Sequence, residues 1–278
     1  MCILFVLNET NPKPDEYKLI VVSIRDEYYS RPALPLSHID DIIGGRDLEK
    51  GREGGTWLAM NTNGRIAALL NILEPHSDIS PDKKSRGFLV IDYLQSNYNP
   101  RQHLDQISEK AFDYNGFRMI AIHVKSDSID MSVLSKFDRK PIQLKSGVYA
   151  FGNNRIEGKL WPKVENGRQK FEQIVNKYKK ITEKKELVES LFDFLSDTTR
   201  YELDEQMSSQ GNDKPIETLK SMNALNVMIS GYGSRTRSVI LVDNQLNVEF
   251  IEKTMKEPID ITNGCEWITN SINFKIKS

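Results

Sequence analysis

Short apolar runs alternate with polar, turn-rich breaks along the chain, and the period of each run predicts its element. Cys2-Ile3-Leu4-Phe5-Val6-Leu7 is continuously apolar and ends at Asn8-Glu9-Thr10-Asn11, the length and flanks of a short buried strand. Tyr17-Lys18-Leu19-Ile20-Val21-Val22 follows a break carrying Pro12 and Pro14, so the two runs pair as a hairpin. From Ile24 to Pro32 the chain turns charged and aromatic, with Arg25, Asp26, Glu27 and Arg31 close together. This stretch reads as a turn at a strand end whose ionisable groups pair or reach solvent. A strand from Thr56 to Met60, the turn Asn61-Thr62-Asn63-Gly64 and a strand from Arg65 to Leu73 form a second hairpin. Residues 74–85 are a polar loop. Phe88 to Leu94 suits helix or strand; the distance to Pro100 and the spacing of Leu104, Ile107 and Ala111 favour two helices.

Further strands are expected at Phe117–Val124, at about 130–135 and at Gly147–Phe151, the last ending in the turn composition Gly152-Asn153-Asn154. Two amphipathic helices follow, one carrying Val164, Phe171, Ile174, Val175 and Tyr178, the other Leu187, Val188, Leu191, Phe192 and Leu195. Residues 198–221 are polar and aperiodic, which predicts a long surface loop. Strands return at Ser238–Asp243, at Leu246–Ile251 and near 266–276. Strand pairs, then helices, then strand pairs predict antiparallel sheets flanked by helices. No linker or internal repeat divides the chain, so residues 1–278 are read as a single domain.

Composition narrows the class. The 278 residues carry 38 basic and 39 acidic side chains, a net charge of −1. Without a basic excess or a like-charge block, no nucleic-acid surface is expected. Two cysteines, Cys2 and Cys265, fit a reducing compartment better than a disulfide scaffold. The first apolar run lacks a basic lead and stops too early for a signal sequence. No stretch nears the roughly 18–20 apolar residues of a transmembrane segment. A soluble, cytoplasmic protein is expected.

The chemistry is sparse. His38, His76, His103 and His123 are scattered, with no metal-ligand spacing or haem-attachment motif among them. The glycines from Gly44 to Gly55 match neither the P-loop nor the dinucleotide fingerprint; Gly54-Gly55 before Trp57 reads as a tight backbone approach. No Gly-x-Ser-x-Gly elbow occurs. Asn71 is the odd polar residue in an apolar strand, and its buried amide needs a partner, from a neighbouring loop or from a substrate. Cys2 has two readings. It is a small hydrophobe at a strand start, or, once Met1 is trimmed, a thiol sharing its residue with a free α-amine. Their unperturbed pKa values, about 8.5 and about 7.7–8.0, let the amine serve as base for the thiol.

Several stretches together resemble the transport and Golgi organization protein 2 family, which is named also for an Asn-Arg-Asp-Glu signature. They are Met1-Cys2-Ile3, Ile24 to Pro32, Glu53 to Leu58, Ala68 to Asn71, Tyr149 to Asn153 and Tyr232 to Thr236. Ile24 stands where the signature has Asn. The resemblance implies an N-terminal-nucleophile-hydrolase-like fold, a four-layer αββα sandwich of two antiparallel sheets between helices. It also implies a site made of Cys2, Arg25, Asp26, Asn71, Asn153 and Arg235. There Cys2 is the nucleophile, Asp26 holds the amine and Arg25 favours the thiolate. Asn71 and Asn153 supply an oxyanion hole, and Arg235 anchors an anionic group or orders the site. For function it implies haem trafficking toward acceptor haemoproteins, with haem as transported ligand, ligated by Cys2 or a histidine. Association with mitochondria or lysosome-related organelles, with lipid metabolism and with Golgi organization goes with that reading. The alternative is a cysteine amidase or thioesterase acting on an acyl lipid or acyl-coenzyme A.

Overall fold

The computed structural model describes residues 2–138, 140–156 and 158–277. Its first hairpin pairs β1 (Cys2–Asn8) with β2 (Tyr17–Tyr28), Cys2 opposite Arg25 and Leu4 opposite Ser23. Three further hairpins follow in an antiparallel meander: β3 (Ala33–Ile39), β4 (Ile42–Asp47), β5 (Leu58–Asn61) and β6 (Arg65–Asn71). Helices α1 (Phe88–Gln95) and α2 (Pro100–Glu109) come next, the latter started by an Asn99–Gln102 capping box. The meander resumes with β7 (Phe117–Val124), β8 (Ile129–Ser135) and β9 (Ile142–Leu144), and β10 (Gly147–Phe151) returns to β1. Four helices, α3 (Pro162–Lys177), α4 (Lys184–Phe194), α5 (Glu205–Gln210) and α6 (Ile216–Met222), precede β11 (Met228–Ile229), β12 (Tyr232–Asp243), β13 (Asn247–Met255) and β14 (Trp267–Lys275).

These strands make two antiparallel sheets, ordered β10-β1-β2-β12-β13-β14, with β11 on β12, and β3-β4-β5-β6-β7-β8-β9. The period of two along each strand explains the layering. Leu4, Val6, Leu19, Val21, Ile240 and Phe250 of the first sheet meet Ile43, Met60, Ile66, Leu70, Ile120 and Val133 of the second in a core between the sheets. The alternate residues Ile3, Phe5, Ile20, Val22 and Val239 pack outward on Phe171, Val175, Leu187 and Leu191 of α3 and α4. On the far side, Ala67, Leu69, Met119 and Ala121 pack on Leu89, Tyr93 and Leu104 of α1 and α2. The molecule is the four-layer αββα sandwich expected. Among the described residues no helix is long and apolar enough to cross a membrane.

Two local expectations are corrected. The charged stretch after Val22 is not a turn: β2 runs on to Tyr28, with Arg25 and Asp26 buried. It is a central strand, paired to β1 and to β12, and this pairing overrides the charge pattern. Residues 198–221 are not a long surface loop. They hold the short helices α5 and α6, whose Met207, Leu219 and Met222 are buried in the outer core; six and seven residues are too few to show a helical period. Strands β3, β9 and β11 carried no readable alternation.

Candidate active-site cleft

Strand parity places Cys2. It shares its face with Leu4 and Val6, so its side chain points between the sheets at the end of β1 and is buried. Directly opposite, Arg25 also points between the sheets, and its guanidinium lies 4.0 Å above the Trp57 ring. Trp57 fits there because position 45 is glycine: a Cβ at Gly45 would come within 2.5 Å of the indole. Gly55 and Gly87 touch backbone to backbone, and Thr56 N–H donates to Gly87 O at 3.2 Å. This is the tight approach expected at Gly54-Gly55, and it brings Arg86 to the rim.

Cys2, Arg25, Asp26 and Asn71 line one cleft of about 70 Å³, together with Glu27, Arg31, Asp47, Arg52, Trp57 and Arg86. Asn71 is half-buried at the end of β6, and its side-chain amide bonds to no described residue. The neighbouring-loop partner anticipated for that amide is therefore absent, and the amide faces the cleft. Asn153 and Arg235 stand behind the cleft. The β1–β10 register, extended by two pairs beyond Leu4 and Phe151, sets Asn153 beside Cys2. Asn153 Nδ2 donates to Asn71 O at 2.6 Å, and its Oδ1 has no partner. In this arrangement the Asn153 amide supports the strand end that carries Asn71.

Arg235 occupies a bulge in β12, where the register to β2 shifts between Ser234 and Thr236. A bulge re-aims its extra residue. Here the buried guanidinium donates through Nη1 to the carbonyls of Tyr28 (2.9 Å) and Arg31 (2.5 Å), and through Nη2 to Glu257 Oε1 (2.5 Å). Of the two roles implied for Arg235, the geometry matches ordering of the loop after β2.

Asp26 borders the cleft but follows Arg25 along β2, so its carboxyl is turned to the opposite side of the sheet, toward Ser234 and toward Lys163 of α3. Ser234 Oγ donates to Asp26 Oδ1 at 2.5 Å, and Val227 N–H donates to the same Oγ at 2.8 Å. Lys163, fully buried near the start of α3, donates to Met222 O (2.7 Å) and Ala224 O (3.2 Å). Burial raises the Asp26 carboxyl above the usual range, opposed by the Lys163 charge and the Ser234 hydrogen bond. Burial pushes Lys163 down to about 8, against the pull of Asp26 and Cys2. Burial likewise raises the Cys2 thiol, while Arg25 favours its thiolate. Across the inter-sheet space Glu252 accepts from Leu36 N–H at 2.7 Å and is pushed up to about 7 by burial.

Lys163, Glu252, Trp57 and Arg86 were not singled out from the sequence. Trp57 had a signal in its flanking glycines. Lys163 had one as well, a lysine in the first turn of a helix, where the macrodipole disfavours it. Met1, whose removal the N-terminal-nucleophile chemistry needs, lies outside the described residues. Among the described residues no three His, Cys, Asp or Glu side chains gather as a metal site, and none of the four histidines lines the cleft.

Comparison with known proteins agrees with the motifs. A family profile described as Transport and Golgi organisation 2 matches residues 1–257. The mouse and human Transport and Golgi organization 2 homologues are each 32% identical over 284 aligned positions, covering 100% of both chains. The Drosophila melanogaster protein of that name is 33% identical, covering 92% of each. Two solved structures align at a TM-score of 0.42. One is a Caenorhabditis elegans N-acylethanolamine-hydrolyzing acid amidase orthologue, 11% identical over 68% of this chain and 85% of its own. The other is the C2A mutant of a conjugated bile acid hydrolase from Clostridium perfringens, 9% identical over 97% of this chain and 96% of its own. With a family profile matching nearly throughout and relatives aligned end to end, the chain belongs to the Transport and Golgi organisation 2 family.

Proposed function

We propose that the chain is a cysteine acyl hydrolase acting on an amide or thioester, active once Met1 has been removed. The observation that carries this reading is the cleft itself: a buried thiol, a guanidinium directly across the strand pair and an unengaged asparagine amide line one cavity. In the proposed reaction the Cys2 α-amine takes the thiol proton as Sγ bonds to the acyl carbonyl carbon. Asn71 Nδ2 donates to the developing oxyanion, where such donors are worth most. The proton then passes to the leaving amine or thiol as its bond to the acyl carbon breaks. Water, deprotonated by the same amine, releases the acid and restores the thiol. The Arg25 charge supports the thiolate, which burial alone disfavours.

Haem trafficking rests on the family resemblance alone. The cleft is lined by no histidine, so of the haem ligands considered from the sequence only Cys2 is present in it.

The test is mass spectrometry of the intact protein incubated with N-acyl amides and acyl thioesters of graded chain length. A free Cys2 terminus that gains one acyl mass, and does so in neither Cys2→Ala nor protein retaining Met1, is the expected result. A protein with a free Cys2 terminus that forms no adduct and releases no acid from any of these substrates would overturn the reading.

A further inference from the structure

The cleft holds more cationic donors than its own carboxylates use. Arg31 is fully engaged: its fork grips Asp47, Nε to Oδ1 at 3.1 Å and Nη2 to Oδ2 at 2.5 Å, and Nη1 lies 3.5 Å from Glu27. Arg25 is not. Only 4% exposed, it reaches Glu27 at 4.0 Å, and its Nη1 is buried without any partner. Arg86 gives Nη1 to Gly116 O at 2.6 Å and forms no ion pair among the described residues. Arg52, on the exposed rim, forms none either. A buried guanidinium N–H left unmade is costly, more so than a neutral donor, and Arg25 is one of the residues that line the cleft.

We infer that Arg25 and Arg86, with Arg52 at the rim, form a subsite for a carboxylate carried by the ligand of this cleft. Shape favours a carboxylate over a bulkier oxyanion. The cavity of about 70 Å³ suits a small polar group, and Arg25, held 4.0 Å over the Trp57 ring, carries a planar fork that matches a planar acceptor. Arg31 and Asp47, which line the same cleft, show that pairing. Burial lowers Arg86 to about 10, only partly offset by the nearby Glu74 carboxylate, which accepts from Gly116 N–H. As a statement about substrate, the inference rests on the acyl-hydrolase reading and narrows it to acyl compounds with a carboxylate near the scissile bond. As a statement about binding, it stands without turnover.

The experiment titrates the full chain with N-acetylglycine, its neutral analogue N-acetylglycinamide, and inorganic phosphate, following Trp57 fluorescence and calorimetric heat. Trp57→Phe identifies the optical signal. Saturable binding of N-acetylglycine, at least roughly 10-fold tighter than the amide and weakened roughly 10-fold or more by Arg86→Gln, is expected. Arg52→Gln should weaken it less, and Lys185→Gln, on the exposed face of α4, not at all. Arg25→Lys keeps the charge without the planar fork and should lose most of the preference, while Arg86→Gln, at the rim, keeps the test independent of how well that buried variant folds. Equal binding of acid and amide, binding of phosphate alone, or affinity untouched by Arg86→Gln would each overturn the subsite. None of these readouts requires catalysis, so an inactive protein that still selects the carboxylate separates this inference from the hydrolase reading.

Discussion

Replacing Lys163 by methionine removes a charge that the fold has no obvious reason to bury. The side chain is wholly inaccessible and donates to Met222 O and Ala224 O. Methionine keeps most of the volume and leaves both carbonyls without that donor, at about 1–3 kcal/mol for each acceptor left unsatisfied. Against this, the variant no longer desolvates an ammonium. The two effects oppose each other near neutrality, so the informative quantity is how their balance changes with pH. Folding lowers the Lys163 pKa from 10.5 to about 8. Between those values the unfolded chain holds a proton that the folded chain has released, so wild-type stability rises with pH across the window. At about 1.4 kcal/mol per pH unit, the wild type gains about 3 kcal/mol from this group by pH 10.5, and the variant gains none of it. Groups common to both proteins cancel in the difference. Urea unfolding at pH 7.5, 9 and 10.5 should therefore show the wild-type advantage widening by about 2–3 kcal/mol. An advantage constant across all three pH values would refute a charged, desolvated Lys163, and with it the assignment of Lys163 as the cation opposite Asp26.

Glu252 gives the mirror case. Its folded pKa is raised from 4.5 to about 7 by burial, so the folded state holds the extra proton and wild-type stability falls as pH rises through that window. Glu252→Gln keeps the acceptor for Leu36 N–H and should match wild type near pH 4 yet exceed it by up to about 3 kcal/mol at pH 8, read from urea midpoints; a variant weaker than wild type at pH 8 contradicts this. Gly64 turns the β5–β6 hairpin at φ +81°, and a Cβ there would lie 2.4 Å from Val124 O. Gly64→Ala should cost about 2–4 kcal/mol, combining left-handed strain with displacement of β7, and an unchanged melting temperature would show that the turn has another conformation open to it.

The apolar runs were legible because burial on both faces leaves a strand no room for polarity, as in Leu19 to Val22 or Ile66 to Leu70. Asn71 was legible for the same reason, as the exception in such a run. Arg25 and Asp26 were legible as chemistry through the family motif, but their conformation was not. A strand carrying two adjacent charges is stable only where each face offers a partner, and those partners, Trp57, Ser234 and Lys163, lie 32, 208 and 137 positions away along the chain. Lys163 and Glu252 sit in segments whose amphipathic pattern makes any charge look solvated. Only the packed structure shows that α6 and β3 cover them.

That same alternation constrains the chemistry at Cys2. The thiol and Arg25 point between the sheets, whereas Asp26 points the other way, into the layer held by Ser234 and Lys163. No side chain at position 2 can address both faces, because Cα carries only one. The backbone nitrogen can, since it lies in the plane of the sheet that separates them. In the proposed mechanism this is why the base must be the α-amine: it alone can take a proton from Sγ on one face while Asp26 steadies it from the other. An internal cysteine at the same place would have its nitrogen locked in an amide, with no lone pair to accept the proton. Retaining Met1 should therefore abolish acyl transfer while leaving cleft, thiol and carboxylate subsite intact.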